Sequence, residues 1–178
     1  MRFLKLPSLR KKSYQIESQN KILRKEDLLA ACAELRRQKK TIATLNGSFD
    51  LMHAGHLHII YEASMQADIL VVALNSDLSI KQYKGPKRPI IPLEYRMQMM
   101  AALEFVDYVT FFEETNPLSL LSKIKPDVHV NGAEYGKDCI EREMVEKFGG
   151  KIHIVDLVDG LSTSQIIENI LDAYHSKV

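Results

Sequence analysis

The amino-acid sequence predicts an α/β domain, a doubly wound parallel sheet of five strands with helices on both faces. Three observations predict it. Five short apolar or β-branched runs recur along the chain with segments of helical period between them, so strand and helix alternate throughout. The runs are too uniformly apolar to leave one face wet, as expected of parallel strands covered on both sides. Finally, 178 residues, 46% of them hydrophobic, suffice for one core, and no run approaches the roughly 18 apolar residues that a membrane-spanning helix needs.

Taken in order, residues 1–20 form a basic stretch without sustained helical period and are expected to be a solvated, mobile arm. An organelle-targeting peptide or a contact with an anionic surface fits the same composition. The folded domain is expected over 21–178. It opens with a lead-in helix over 21–40, in which Leu28, Cys32 and Leu35 repeat at helical spacing and the closing Arg36-Arg37-Gln38-Lys39-Lys40 complements the helix dipole. Strands are expected at 41–45, 69–74, 108–112, 128–130 and 152–155, and helices at 56–66, 93–105, 118–124, 140–148 and 162–174. Residues 1–40 hold 12 Lys/Arg against 4 Asp/Glu, which leaves 12 against 19 for the rest. The domain proper is therefore acidic and lacks the basic-aromatic stripe of a nucleic-acid binder. Cys32 and Cys139 stand far apart without a CxxC pair, so neither a disulfide framework nor a structural zinc site is expected, and a reducing compartment fits.

Ligands of such sheets bind beyond the carboxyl ends of the strands, which directs attention to the loops there. After the first strand the chain reads Asn46-Gly47-Ser48-Phe49-Asp50-Leu51-Met52-His53-Ala54-Gly55-His56 and runs into a helix. Gly47 allows close backbone approach to a ligand, and Gly55 admits one at the helix start, where free N–H groups and the dipole attract an anion. His53 and His56, three residues apart, share one face of a first helical turn and act as paired donors toward that anion. Two surface histidines, or two metal ligands at i, i+3, are the alternatives. Lys84, Lys87 and Arg88 crowd a second loop, 84–89, suited to fold over a triphosphate, and helix starts tolerate the Pro92 that follows. Arg96 either reaches the same phosphates or pairs at the surface with Glu94. Near the end, Gly160-Leu161-Ser162-Thr163-Ser164-Gln165 has capping-box spacing between Ser162 and Gln165, and its hydroxyls and free amides form another anion site. The loop Asn131-Gly132-Ala133-Glu134-Tyr135-Gly136 has turn chemistry and an aromatic ring able to enclose a nucleobase.

The combination of Gly-x-Phe-Asp with His-x-Gly-His between a strand and a helix resembles the signature of the HxGH nucleotidyltransferase superfamily, whose fold is Rossmann-like. That superfamily includes the cytidylyltransferases, phosphopantetheine adenylyltransferase and, more distantly, the class I aminoacyl-tRNA synthetases; size and the lack of a KMSKS-type loop exclude a synthetase here. Leu161-Ser162-Thr163-Ser164 resembles the superfamily's second, Ile-Ser-Thr-Thr-like motif. From about residue 21 to 170 the chain is similar to the heptose 1-phosphate adenylyltransferase group, the nucleotidyl-transferring half of ADP-heptose synthases. The stretches that carry this are 44–56, Asn75-Ser76-Asp77, 84–89, 92–96, 101–109, 125–132 and 158–164. Glycerol-3-phosphate cytidylyltransferase shares the first and last, but has arginines where this chain has Glu104 and Leu157.

The resemblance implies transfer of AMP from ATP to a sugar 1-phosphate, with release of pyrophosphate. An ionised sugar phosphate needs no general base, so alignment and charge stabilisation are the main tasks. It implies His53, His56 and Lys84 as the catalytic set. Asn46, Gly47, Ser48, Phe49, Gly55, Arg88, Arg96, Asn131, Gly132, Glu134, Tyr135, Gly160, Leu161, Ser162, Thr163 and Ser164 would bind nucleotide. Asp50, Asn75 and Asp77, with Lys84, would bind the sugar phosphate. Mg²⁺ would be held mainly by phosphates rather than by a protein cage. A cytoplasmic enzyme of surface-glycan biosynthesis, with a separate heptose kinase upstream and no nucleic-acid or membrane partner, is the implied setting. Superfamily members are often dimers; the run 97–105 is expected to serve the core instead. A glycerol-3-phosphate cytidylyltransferase, another small-phosphate nucleotidyltransferase and a non-catalytic nucleotide sensor are the rival readings.

Overall fold

The computed structural model describes residues 14–136, 138–156, 158, 160 and 162–175. Helices α1 (Tyr14–Gln19) and α2 (Lys25–Arg37) precede β1 (Ile42–Gly47), α3 (Ala54–Ser64) and β2 (Ile69–Asn75). Then come α4 (Asp77–Lys84), α5 (Leu93–Ala101), β3 (Tyr108–Phe112), α6 (Leu118–Ile124) and β4 (Val128–Gly132). A 3₁₀ turn (Ala133–Tyr135), α7 (Arg142–Lys147), β5 (Lys151–Val155) and α8 (Thr163–His175) complete the order. The five strands form one parallel sheet in the order β3-β2-β1-β4-β5. The chain moves outward from β1 through β2 to β3, then returns to the other side of β1 with β4. The order therefore reverses between β1 and β4, and their carboxyl ends open the crevice where ligands bind in such sheets.

Alternation along the strands divides the core into two layers. Ala43, Leu45, Leu70, Val72, Leu74, Val109, Val128 and Val130 face Ile60 and Ala63 of α3 and Met97, Met100 and Ala101 of α5. On the other face Ile42, Val71, Ala73 and Phe112 meet Leu28 and Cys32 of α2 and Leu120 and Ile124 of α6. Met97 and Met100 are thus core residues, as their run predicts. One polar pair sits within the second layer's side of the sheet: His129 Nδ1 lies 2.7 Å from Thr44 Oγ1, and burial lowers the imidazole to about 4.

Two expectations need correction. The arm over 1–20 includes α1, and the following residues are tied to the sheet: Ile22 bridges Val109, and Lys21 Nζ donates to the carbonyls of Leu103 and Val106 at 2.8 and 2.6 Å. Six residues are too few for a helical period to be legible, and residues 1–13 lie outside the described ones. The second correction is α4, which occupies ground read as the approach to a loop. Ser76 caps it by accepting from Ser79 N–H at 3.1 Å, and Gly85, at φ +91°, ends it. Lys84 is therefore the last residue of a helix rather than the first of a loop.

Candidate active site

The β1 loop builds the floor of the crevice. Phe49 sits at φ +45° and its ring folds back over Gly47, where a Cβ would stand 3.0 Å from the ring, so the glycine allows this close packing without a shift. His53 occupies the N-cap position of α3 and His56 its third residue, so the two are not both on the helix as the spacing predicts. Their rings are nonetheless together, with centroids 3.9 Å apart, and Phe49 lies edge-on to His56 at 5.4 Å. Both Nδ1 atoms are buried without a hydrogen-bond partner among the described residues. Burial, then the neighbouring His53 and Lys84, lowers His56 to about 4, and burial lowers His53 as well. Both imidazoles are thus held toward their neutral form, in which each has one donor and one acceptor nitrogen.

Lys84 reaches across from the end of α4, donating from Nζ to Ser48 Oγ at 3.1 Å. Desolvation, followed by the charge of Arg88, lowers its ammonium. A cavity of about 400 Å³ joins these groups. Asn46, Gly47, Ser48, Phe49, His53, Gly55, His56 and Lys84 line one side. From β4 and its 3₁₀ turn come Asn131, Gly132, Glu134 and Tyr135, and from the start of α8 come Ser162, Thr163 and Ser164. The Glu134 carboxylate lies against Gly132, within 3 Å of where a Cβ would stand. Ser162 Oγ accepts from Gln165 N–H at 3.1 Å, but Gln165 Nε2 turns to Asn169; only half of the expected capping box forms. Gly160 turns the chain at φ +74°, and Leu161 and Leu157 lie outside the described residues.

Four of the named residues are placed elsewhere. Asp50 is 1% exposed and its carboxylate is filled by Arg88 Nε at 2.7 Å and by the N–H groups of Ile90 and Ile91. Burial pushes Asp50 up, yet the bonds from Ile91, Ile90 and Arg88 outweigh it and leave the carboxyl low. Arg88 is thereby held on Asp50 and does not line the cavity. Arg96 is fully buried: its guanidinium donates to the carbonyls of Ile91, Ser48 and Asn75 and to Asp77 Oδ1 at 2.7 Å. It meets neither phosphate nor Glu94, because three main-chain carbonyls converge where only a rigid five-donor fork satisfies them. Asp77 also accepts from Leu93 N–H, so it joins α4 to α5. Asn75 remains near the site, on the wall of an adjoining cavity.

A family model described as cytidylyltransferase-like matches residues 44–170, a span that takes in every wall of the cavity. The chain belongs to the cytidylyltransferase-like family. It is similar to the bifunctional protein HldE of Syntrophotalea carbinolica, with 42% identity over 162 residues, 90% of this chain and 33% of that protein. The chain spans about a third of the length of the curated relatives it matches. Among solved structures, a lipopolysaccharide core biosynthesis protein from Thermoplasma volcanium is 26% identical with a TM-score of 0.54, covering 67% of this chain and 97% of that one. Pantoate-beta-alanine ligase from Francisella tularensis shares the fold at a TM-score of 0.57 and 16% identity, over 88% and 79% of the two chains.

The cytidylyltransferase-like domain thus holds its crevice at the carboxyl ends of β1 and β4. Its crevice adds residues that sequence reading missed: Ile59, Asp156 and Val158 also line the cavity. Asp156 directly follows the last residue of β5, and the rule that strand ends carry ligands would have found it. Among the described residues no group of three or more His, Cys, Asp or Glu side chains gathers around a metal position. The cavity offers two carboxylates, Glu134 and Asp156, which suits a divalent ion carried on phosphate oxygens rather than one held by a protein cage. No described helix is long and apolar enough to cross a membrane.

Proposed function

We propose that this domain transfers AMP from ATP to D-glycero-β-D-manno-heptose 1-phosphate, giving ADP-heptose and pyrophosphate. The observation that carries the reading is the stacked pair His53–His56, with buried, unpartnered Nδ1 atoms, facing Lys84 at the point where the strand order reverses. Such a set has acceptors only when a polyphosphate enters. A sugar phosphate oxygen attacks the α-phosphorus, the bond to the β,γ-pyrophosphate breaks, and no proton needs to leave the nucleophile. His53, His56 and Lys84 donate to oxygens whose charge grows in that step. The α3 N-terminus at Gly55, and Ser162, Thr163 and Ser164 at the α8 N-terminus, hold the remaining phosphates. Asn131, Gly132, Glu134 and Tyr135 enclose the nucleoside. Glu134 and Asp156 are the cavity carboxylates that could help hold a divalent ion carried on the phosphates, whose charge such an ion would neutralise.

The acceptor's phosphate belongs beside Lys84, where Asn75 and Ser48 also stand. A sugar kinase, on this or another chain, supplies that phosphate, and the reaction takes place in the cytoplasm. Pyrophosphate release tests the reading, with ATP, CTP, GTP and UTP each offered against heptose 1-phosphate and glycerol 3-phosphate in the presence of Mg²⁺. Turnover confined to ATP with heptose 1-phosphate is expected. Activity only with CTP and the glycerol ester would make this a glycerol-3-phosphate cytidylyltransferase, and ATP binding without turnover of any acceptor would make it a sensor.

A further inference from the structure

A second cavity, of about 490 Å³, shares Asn46, Gly47, Ser48, Lys84 and Tyr135 with the nucleotide cavity. The wall they do not share is formed by the carboxyl ends of β2 and β3 and by the turn before α7, with Asn75, Tyr83, Asn116, Asp138 and Glu141. Its charge is graded. The common wall carries the Lys84 ammonium, whereas both carboxylates, Asp138 and Glu141, lie only on the unshared wall. Glu141 is 5% exposed and fixed by Asn131 Nδ2, which donates to Oε2 at 3.2 Å, so a side chain of the nucleotide cavity sets a side chain of the second one. Asn46, on the common wall, holds a buried Oδ1 without a partner among the described residues.

A ligand that matches this gradient has an anion at one end and hydrogen-bond donors without negative charge at the other. Ionised carboxylates only accept, and sugar hydroxyls are the donors that satisfy them while leaving the ligand neutral there. Tyr83 and Tyr135, both exposed, add aromatic surface to the lining on which a carbon skeleton can pack. We propose that Asp138 and Glu141 read the hydroxyl groups of the acceptor remote from its phosphate, which makes them specificity-determining residues for a neutral polyol monophosphate. The inference rests on the reading given under Proposed function. A second phosphate at the far end would face two carboxylates and be rejected by like charge.

The test compares wild type, Asp138→Asn and Glu141→Gln with heptose 1-phosphate and with the shorter mannose 1-phosphate. The KM for heptose 1-phosphate rises roughly five- to ten-fold in the variants, the KM for ATP stays within about two-fold, and preference for the heptose over the hexose narrows. Glucose 1,6-bisphosphate, a weak competitor of wild type, binds more tightly to Asp138→Asn. Asp138 is exposed, so its variant carries the test even if Glu141→Gln fails to fold. A heptose KM unchanged in both variants, or one that rises only in step with the ATP KM, overturns the proposal. Wild-type enzyme that never turns over heptose 1-phosphate overturns the functional reading itself, and the proposal with it.

Discussion

Two charged regions meet at Ser48 and could hardly differ more in how their polar atoms are used. On one side His53, His56 and Lys84 face a cavity, and the two Nδ1 atoms have no partner. On the other, Asp50, Arg88, Asp77 and Arg96 bond to one another and to the main chain of Ser48, Asn75, Ile90 and Ile91. Both regions are built from ionisable side chains, and the resemblance places both against ligand. The difference separates groups kept ready for a substrate from groups that hold the floor in place. In this crevice the two sets are told apart by where their side chains point, one lining the cavity and the other turned onto the main chain beneath it.

The largest effect on stability should come from breaking the braced side. Arg96→Ala removes a fully buried side chain and its bonds to three carbonyls and to Asp77, so urea denaturation should show a loss of about 3 kcal/mol. Retained stability would mean that the brace is dispensable. On the open side, His56→Ala should leave the melting temperature nearly unchanged and lower kcat by about 10²–10³, or roughly 2.7–4 kcal/mol, with a smaller change in nucleotide affinity. Pyrophosphate release under saturating ATP measures this, and unchanged turnover in the folded variant would remove His56 from the catalytic set.

Acid sharpens the contrast further. His56 and His129 are held near 4, below the usual 6.5, so the unfolded chain binds the extra protons and stability falls as the pH drops from about 6.5 to about 4. The limb is on the order of 3 kcal/mol for His129, and less for His56, whose cleft admits solvent. Asp50, with its lowered carboxyl, adds a separate loss only below about 4. Urea midpoints at several pH values should show both phases. A non-hydrolysable ATP analogue should flatten the part that His53 and His56 share, and His129→Gln the part that His129 contributes; a single phase that ignores both would refute the assignment. The smallest effect belongs to the junction. Ser48→Ala removes the Lys84 bond but keeps the carbonyl that Arg96 uses, so kcat/KM should fall by roughly five-fold, about 1 kcal/mol, with no change in stability.

The layered fold was legible in the chain because strand residues such as Val71 and Val72 are buried on opposite faces, which writes an uninterrupted apolar run into the sequence. The histidine loop was legible because Gly47, Gly55 and the two histidines act through local geometry. What escaped was long-range partnering. Nothing near Asp50 in sequence reveals that Ile90 and Ile91 will fill it 40 residues later, and nothing beside Arg96 announces the carbonyl of Ser48. Helix α4 escaped for a different reason: its cap at Ser76 and stop at Gly85 are clear signals, but eight residues with only Ser79 and Ile80 buried give the periodicity little to work with.

The bridge between Ile22 and Val109 bears on the order in which this chain is made. An outer strand presents a row of unpaired N–H and C=O groups that can recruit another molecule. Here Val109 N–H donates to Lys21 at 2.8 Å, and Leu23 N–H donates to Val109 at 2.9 Å. The segment that shields β3 leaves the ribosome ahead of the strand it shields, Ile22 preceding Val109 by 87 residues. The covering segment is thus already synthesised when β3 emerges, and the outer strand meets a partner from its own chain as soon as it forms.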